Sequence, residues 1–205
     1  MTVATVDRAD WLRRGRLLEL FTIVWNSAEG LVSVALGVMA GSIALVGFGI
    51  DSFIETSSGA VLLWRLQTRR DEESAERAEA TALRLVGASL LALAAYVAYD
   101  SIATLLRKDA PEASLPGIVL AVISLIAMPL LARQKRRVAA ALDSHALEAD
   151  AMQTSICMYL SAILLGGLTL NALLGWWWAD PVAALAMVPL ISREGLEAWR
   201  GERCD

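Results

Sequence analysis

Two pairs of polar residues, each spaced four positions apart, interrupt otherwise apolar stretches of this sequence. Asp51 and Glu55 form the first pair, and Gln153 and Cys157 form the second. Residues at i and i+4 of an α-helix share one face, with Cβ atoms about 5–6 Å apart. Two carboxylates this close in an apolar medium repel each other, and protons or a divalent cation remove the repulsion. The acidic pair therefore predicts metal or proton chemistry, or else two protonated acids that hydrogen-bond to neighbouring helices.

The second pair is ordinary when it is considered alone. Gln often hydrogen-bonds between membrane helices, and a free Cys is commonly a small buried hydrophobe. If Gln153 and Cys157 lie at the depth of Asp51 and Glu55, however, two facing helices bring four donor groups together. Such a set suits a tetrahedral metal ion.

Three further polar residues lie near this predicted site. Asn26 and Glu29 fall near the middle of the first apolar block. They either line a pathway or support the ligands, although a protonated Glu29 that hydrogen-bonds to a neighbour fits the position equally well. Asp150 precedes Gln153 by one turn and lies either on the route of the ion or at a solvated helix end. Because a charge at the centre of a membrane helix costs roughly 2.5–3.5 kcal/mol, each of these residues needs a partner or a watery cavity.

The elements that must position these residues are six apolar blocks of roughly 20 residues, the length of a helix that crosses a ~30 Å hydrocarbon core. Hydrophobic residues make up 57% of the 205 positions, above the roughly 45–50% of soluble domains. The blocks are continuous and lack the alternation of barrel strands, which predicts α-helices. They run over residues 17–39, 43–66, 80–106, 117–132, 146–174 and 181–196.

Lysine and arginine are distributed unevenly among the connections between the blocks. Arg107 and Lys108 lie in the third connection, and the first and fifth connections contain no basic residue. The others lie at the N-terminus, in the second connection together with Arg84, in the fourth connection and in the tail. The fourth connection begins with the cluster Arg133, Lys135, Arg136 and Arg137. By the positive-inside rule both termini are cytoplasmic, which agrees with an even number of spans.

We therefore predict an all-α integral membrane protein with six transmembrane helices. Its parts are a cytoplasmic N-terminal segment (1–16), a six-helix transmembrane domain (17–200) and a short tail (201–205), without a soluble C-terminal domain. The two cysteines give no indication of a disulfide framework, because one lies in an apolar block and the other in the tail. The tryptophan run at 176–178 is typical of an aromatic belt at the outer interface.

Several stretches, taken in order, resemble the cation diffusion facilitator family of divalent-metal/proton antiporters. "GSIALVGFGIDSFIETSSGAVLLWRL", from Gly41, is similar to the family's metal-site helix, and "RAEATALRL", from Arg77, resembles the start of its third helix. "SHALEADAMQTSICMYLSAILLGGL", from Ser144, resembles its fifth helix, and "ADPVAAL", from Ala179, the start of its sixth. The likeness extends over about 18–200, and its specificity comes from the order and spacing of these stretches together.

The resemblance implies a metal site between the second and fifth helices. Asp51 and Glu55 match the family's zinc-binding positions in the second helix, and Gln153 and Cys157 stand where its fifth helix usually has His and Asp. A thiolate softens the site toward zinc, cadmium, mercury or cuprous ion, whereas an amide oxygen is a weak ligand. The family's usual soluble metal-binding domain does not follow the sixth span, so we expect a homodimer held by membrane helices.

The functional expectation is a zinc-type efflux transporter, a metal/proton antiporter in the plasma (inner) membrane. Its partners would be the metal ion, protons and the lipid bilayer, with no permanently bound cofactor and no nucleic acid. The altered fifth-helix pair leaves open a second reading, a membrane protein that binds metal or regulates a partner without transport. An intramembrane enzyme is disfavoured, because no nucleophile–base pair or H-E-x-x-H motif is present in the sequence.

Overall fold

The computed structural model describes the backbone of residues 2–67 and 72–200 and, within these, the side chains of 8–64, 81, 84–144, 147, 148 and 150–200. The described backbone forms six α-helices joined by short connections. They are α1 (Thr2–Ala40), α2 (Ile43–Gln67), α3 (Glu72–Arg107), α4 (Leu115–Leu142), α5 (His145–Leu174) and α6 (Ala179–Arg200). The prediction of an all-helical chain is confirmed, and the predicted tail 201–205 lies outside the described residues.

Four segments of the described helices are long and apolar enough to cross a membrane. They are Arg8–Ala40, Arg84–Arg107, Leu115–Leu142 and Asp150–Leu174. Only 33–39% of the most apolar window of each is buried inside the molecule, so most of its surface is available to lipid. These helices make the chain a multi-pass membrane protein. Six spans and two cytoplasmic ends stay predictions, because α2 and α6 are not among these four segments.

Three helices extend beyond the apolar blocks that predicted them. α1 begins at Thr2, within the segment 1–16 that we expected to be separate, and α3 begins at Glu72, eight residues before the predicted block 80–106. α4 continues past the basic cluster as far as Leu142. The extensions are rich in Ala, Glu and Arg, which have high intrinsic helix propensity. The apolar blocks therefore identify the part of each helix that contacts lipid, but they do not identify where the helix begins or ends.

Side-chain and backbone hydrogen bonds tie the connections together at one end of the bundle, here called the capped end (Ala40–Ile43, Pro111–Glu112 and Asn171–Asp180). The Asp180 carboxylate accepts from the Ser42 hydroxyl and, at 3.0 Å, from the backbone N–H of Ile43. It thereby satisfies donors that the first turn of α2 leaves free. The Glu112 N–H donates to the Ala40 carbonyl at 2.7 Å, and the Asn171 amide donates to the Pro111 carbonyl at 2.9 Å.

The closest helix pairs are α1 with α2, α3 with α6 and α4 with α5, and α2 also packs on α3, α5 and α6. Glycines permit two of these approaches. A Cβ on Gly30 of α1 would lie 2.9 Å from the carbonyl oxygen of Gly49 on α2, and a Cβ on Gly87 of α3 would lie 2.7 Å from that of Gly195 on α6. Small residues let membrane helices pack backbone to backbone. α2 is thus held among four helices, where its polar residues are buried.

Candidate metal centre

The two acidic residues of α2 lie inside the bundle. Asp51 is 5% exposed and Glu55 is 2% exposed, and neither Glu55 carboxylate oxygen has a hydrogen-bond partner. The Glu55 charge acts on Asp51, as their i, i+4 spacing predicts. A buried carboxylate without a direct hydrogen-bond donor is expensive, and for Glu55 the attraction of the Lys135 ammonium offsets only part of that cost. Glu55 therefore has the character expected of a residue that meets a cation or a proton at this position.

The α5 residues face the same region. The Cys157 thiol is buried (2% exposed), and Asp51 and Glu55 are among the carboxylates that act on it electrostatically. The Gln153 side chain is half-buried and lies beside a carboxylate that the sequence did not single out, Glu194 of α6. The structure thus brings the four predicted residues to one region between α2 and α5, and it adds an acidic residue from a third helix.

These side chains line a common region, but they do not converge on a single point. Among the side chains that the structure describes, no three His, Cys, Asp and Glu groups are already arranged to hold a metal ion. Asp51, Glu55 and Cys157 have rotatable side chains on helices in contact, so the arrangement is an open set of donors. Closure onto an ion would require side-chain rotation or a small helix shift.

Polar residues also form a continuous buried face on α1. Glu19, Thr22, Asn26, Glu29 and Ser33 are each 0–2% exposed, and their alternating spacing of three and four residues places them on one side of the helix. Asn26 is fully buried, and neither atom of its amide has a partner. This α1 polar face extends about 21 Å at 1.5 Å per residue, which is most of the thickness of a bilayer core.

Glu29 connects this face to two other helices. It accepts from Ser52 of α2 at 3.2 Å and from Ser124 of α4. Its charge also acts on Cys157, and Glu55 acts on it in turn. These hydroxyl contacts fit both expectations for Glu29, a supporting residue and an acid that hydrogen-bonds to its neighbours, so each stays a prediction.

Asp150 belongs to a buried ionic cluster around Lys135, whose charge also acts on Glu55. The Lys135 ammonium of α4 donates to Asp150 of α5 and, at 3.4 Å, to Glu19 of α1. Lys135 is 0% exposed and Asp150 is 5% exposed. The alternative of a solvated helix end for Asp150 was wrong, as was the assignment of Lys135 to the fourth connection. α4 continues through that region, which places Lys135 on its inner face between two carboxylates.

Sequence reasoning missed Glu19, Lys135 and Glu194 as buried polar residues, although the helical period marks each position. Leu131, Lys135, Val138 and Leu142 are all buried on α4, as are Met187, Ile191 and Glu194 on α6. Their spacing of three and four residues continues an apolar face through a charged residue. Charged neighbours in the sequence concealed this pattern around Lys135 and Glu194, whereas the neighbours of Glu19 are apolar.

The chain is similar to a known family and to several known proteins. A family model of the cation efflux transmembrane domain matches residues 20–200. The cation-efflux pump FieF of Shewanella oneidensis is 29% identical over 93 residues, which cover 45% of this chain. A transporter of Synechocystis sp., sll1263, is 25% identical over 79% of the chain. The transporter MamV of Paramagnetospirillum magneticum is 29% identical over 94% of the chain.

The chain spans only part of each of these relatives. The matches cover 31% of the Shewanella pump, 55% of the Synechocystis transporter and 57% of MamV. The family-model match, residues 20–200, reaches all six helices and includes the whole region around Asp51, Glu55, Gln153 and Cys157.

Proposed function

Because this chain belongs to the cation diffusion facilitator (cation efflux) family, we propose that it transports a divalent metal cation in exchange for protons. The ion would bind between α2 and α5. The observation that carries the proposal is the buried acidic pair, in which Glu55 is 2% exposed and both of its carboxylate oxygens lack a partner. A membrane helix keeps such groups at a cost of roughly 2.5–3.5 kcal/mol each, and a transported cation offsets that cost each time it binds.

Asp51 and Glu55 are the proposed anionic ligands, and Cys157 supplies a thiolate. Gln153 is a weak oxygen ligand or a residue that orients its neighbours. A metal ion that enters this region displaces protons from the carboxyl and thiol groups, since ligands bind metals in their deprotonated forms. When the region opens to the other side, returning protons compete for the same atoms and release the ion. Metal and protons are thus exchanged at one set of side chains.

Alternating access would come from movement of helix groups around this region. Asn26 and Glu29 on the α1 polar face, and Asp150 in the Lys135 cluster, are the proposed pathway or supporting residues. α1 contacts α2 and α4, and α6 contacts α3 and α5, so rocking of packed groups would change access while the ligands stay in place. We also propose six spans, a plasma (inner) membrane location and a homodimer in contact through membrane helices.

Zinc is the proposed first cargo. A mixed set of carboxylate oxygens and one thiolate suits zinc and cadmium better than magnesium, which prefers octahedral oxygen coordination. The Gln153 amide is a weaker ligand than the histidine that the family usually has at this position. We therefore expect modest affinity for the ion and an ion release that is fast enough for transport.

The test is proton-coupled uptake of zinc, cadmium, manganese and ferrous ions into proteoliposomes that contain an internal metal-sensitive dye. We expect flux in the wild type that increases with an opposing proton gradient, and loss of flux in Asp51→Ala and Glu55→Ala. Asp100→Ala is the matched control, because Asp100 lies on α3 and hydrogen-bonds to the partly exposed Tyr96. Flux that persists unchanged in both α2 variants would refute the proposed site.

Metal binding without flux of any ion in the wild type would favour the second candidate, a membrane protein that binds metal or regulates a partner without transport. The half-buried Gln153 in the place of a usual ligand is the observation that keeps this candidate in consideration. Equilibrium dialysis with the same four ions, performed on the same preparation, separates the two outcomes.

A further inference from the structure

Glu194 of α6 is a buried carboxylate that the α2–α5 site does not include. It is 8% exposed, and its Oε1 atom has no hydrogen-bond partner. On α6 it follows Met187 and Ile191 on the inner face, where an apolar residue would be expected. A carboxylate on that face is costly unless it serves a binding function.

No described basic side chain neutralises Glu194. Its neighbour Arg193 is directed outward, with 79% of its side chain exposed, and forms an ion pair with Glu197 at 2.8 Å. The charges that act most strongly on Glu194 are the carboxylates of Asp51, Glu55 and Glu197. Apart from the Gln153 amide, its surroundings are thus negative, and a bound cation would neutralise them.

The depth of Glu194 matches that of Glu55, the deeper member of the α2 pair. The Asp180 carboxylate in the first turn of α6 accepts from the N–H of Ile43, the first residue of α2, so the two helices begin at the same level. At 1.5 Å per residue, Glu55 lies about 18 Å and Glu194 about 21 Å from that level. The close approach of Gly87 and Gly195 fixes α6 against α3 immediately beside Glu194.

We propose that Glu194 supplies a third carboxylate to the metal site, so that α6 as well as α2 and α5 binds the cargo. This inference rests on the proposed function, since it concerns the same ion. Glu55, which is 2% exposed and has two partnerless oxygens, is the independent sign that the region is built for a ligand. Glu194 would rotate onto an ion shared with Asp51 and Glu55, closing the open set of donors.

A third carboxylate changes which ions the site accepts. Three carboxylates, an amide oxygen and one thiolate form a set dominated by oxygen, and manganese prefers oxygen ligands, whereas cadmium prefers sulfur. Glu194 therefore extends the cargo toward harder divalent transition-metal ions such as manganese. Loss of Glu194 should affect manganese more than cadmium.

The experiment measures dissociation constants for Mn²⁺ and Cd²⁺ by calorimetry on the purified full chain in nanodiscs. Glu194→Gln keeps the size of the side chain and removes its charge, and Glu197→Gln is the control from the same helix. We expect Glu194→Gln to weaken Mn²⁺ binding about tenfold or more, as the loss of a metal-supporting group typically does. Its effect on Cd²⁺ should be several-fold smaller, and Glu197→Gln should leave both constants unchanged.

The outcomes separate this inference from the proposed function. If the wild type binds both ions and Glu194→Gln behaves like Glu197→Gln, Glu194 is a neutral packing residue and the inference is overturned while the α2–α5 site stands. If the wild type binds neither of these ions nor Zn²⁺, both proposals fail, and if it binds Zn²⁺ but not Mn²⁺, only the inference fails. Should Glu194→Gln unfold, Glu194→Asp retains the charge, and an intermediate loss of Mn²⁺ affinity supports the inference, whereas unchanged affinity contradicts it.

Discussion

The Lys135 ammonium on α4 donates to the Asp150 carboxylate on α5 while both side chains are buried, 0% and 4% exposed. Glu19 of α1 accepts from the same ammonium at 3.4 Å. One cation therefore holds two carboxylates from two other helices. Because α1, α4 and α5 are all apolar on their outer faces, this cluster is a specific polar link between them.

Replacement of Lys135 by Met should destabilise the protein strongly. It removes the cation and leaves Glu19 and Asp150 buried without a partner, which typically costs about 3–5 kcal/mol. The free energy of unfolding, measured by titration with a denaturing detergent, should fall by an amount in that range. Arg133→Met is the matched control, since Arg133 is exposed on the same helix, and it should leave stability unchanged. Equal stability of the two variants would contradict the role of the cluster.

Gly87→Ala should loosen the contact between α3 and α6. The added Cβ would lie 2.7 Å from the Gly195 carbonyl oxygen and 2.5 Å from the Trp199 backbone nitrogen, so the helices must separate. Overpacking of this kind costs about 1–3 kcal/mol. Gly166→Ala is the control, because a Cβ there meets nothing within 4 Å and alanine favours the helix. A thermal melt should show a lower midpoint for Gly87→Ala only.

Asp180→Ala should fray the start of α2. The substitution removes the acceptor for the Ser42 hydroxyl and for the Ile43 N–H, and loss of such a cap costs about 1–2 kcal/mol. Hydrogen–deuterium exchange should become faster at Ile43 and Ala44. Asp109→Ala, at an exposed position near the same end, should leave these amides protected. Unchanged exchange in Asp180→Ala would show that other contacts fix this helix end.

The sequence was sufficient to predict the helices and the burial of the α2 pair. Long apolar blocks define the membrane-crossing part of each helix, and Asp51 and Glu55 are conspicuous because their neighbours are apolar. Lys135 and Glu194 could not be identified in this way, since each stands among charged residues that suggest a solvated helix end. Their burial depends on which face of α4 or α6 packs inward, and tertiary contacts decide that. The convergence of α6 on the α2–α5 region is likewise a property of packing.

The topology predicted from the basic residues can be tested by labelling. In a background of Cys157→Ser and Cys204→Ser, Trp178→Cys should react with a membrane-impermeant maleimide on intact cells. Gln134→Cys should react only after lysis, because the basic cluster around it is expected on the cytoplasmic side. Both side chains are exposed in the structure, so burial does not limit the reaction. Labelling of position 134 on intact cells would contradict the predicted orientation.

Cys157→Ser should change the metal preference of the site without abolishing its capacity to bind. The thiol is 2% exposed and lies among the carboxylates of Asp51, Glu55 and Glu194, so serine of nearly equal size preserves packing while it replaces a soft ligand by a hard, neutral one. Cadmium affinity should fall about tenfold or more, and manganese affinity should change by much less, since manganese does not depend on sulfur. This is the reverse of the pattern expected for Glu194→Gln. Calorimetry on wild type and both variants tests whether the Cys157 sulfur and the Glu194 carboxylate bind the same ion and favour different metals. Equal losses of both ions in Cys157→Ser would mean that the thiol supports the fold of the site rather than its selectivity.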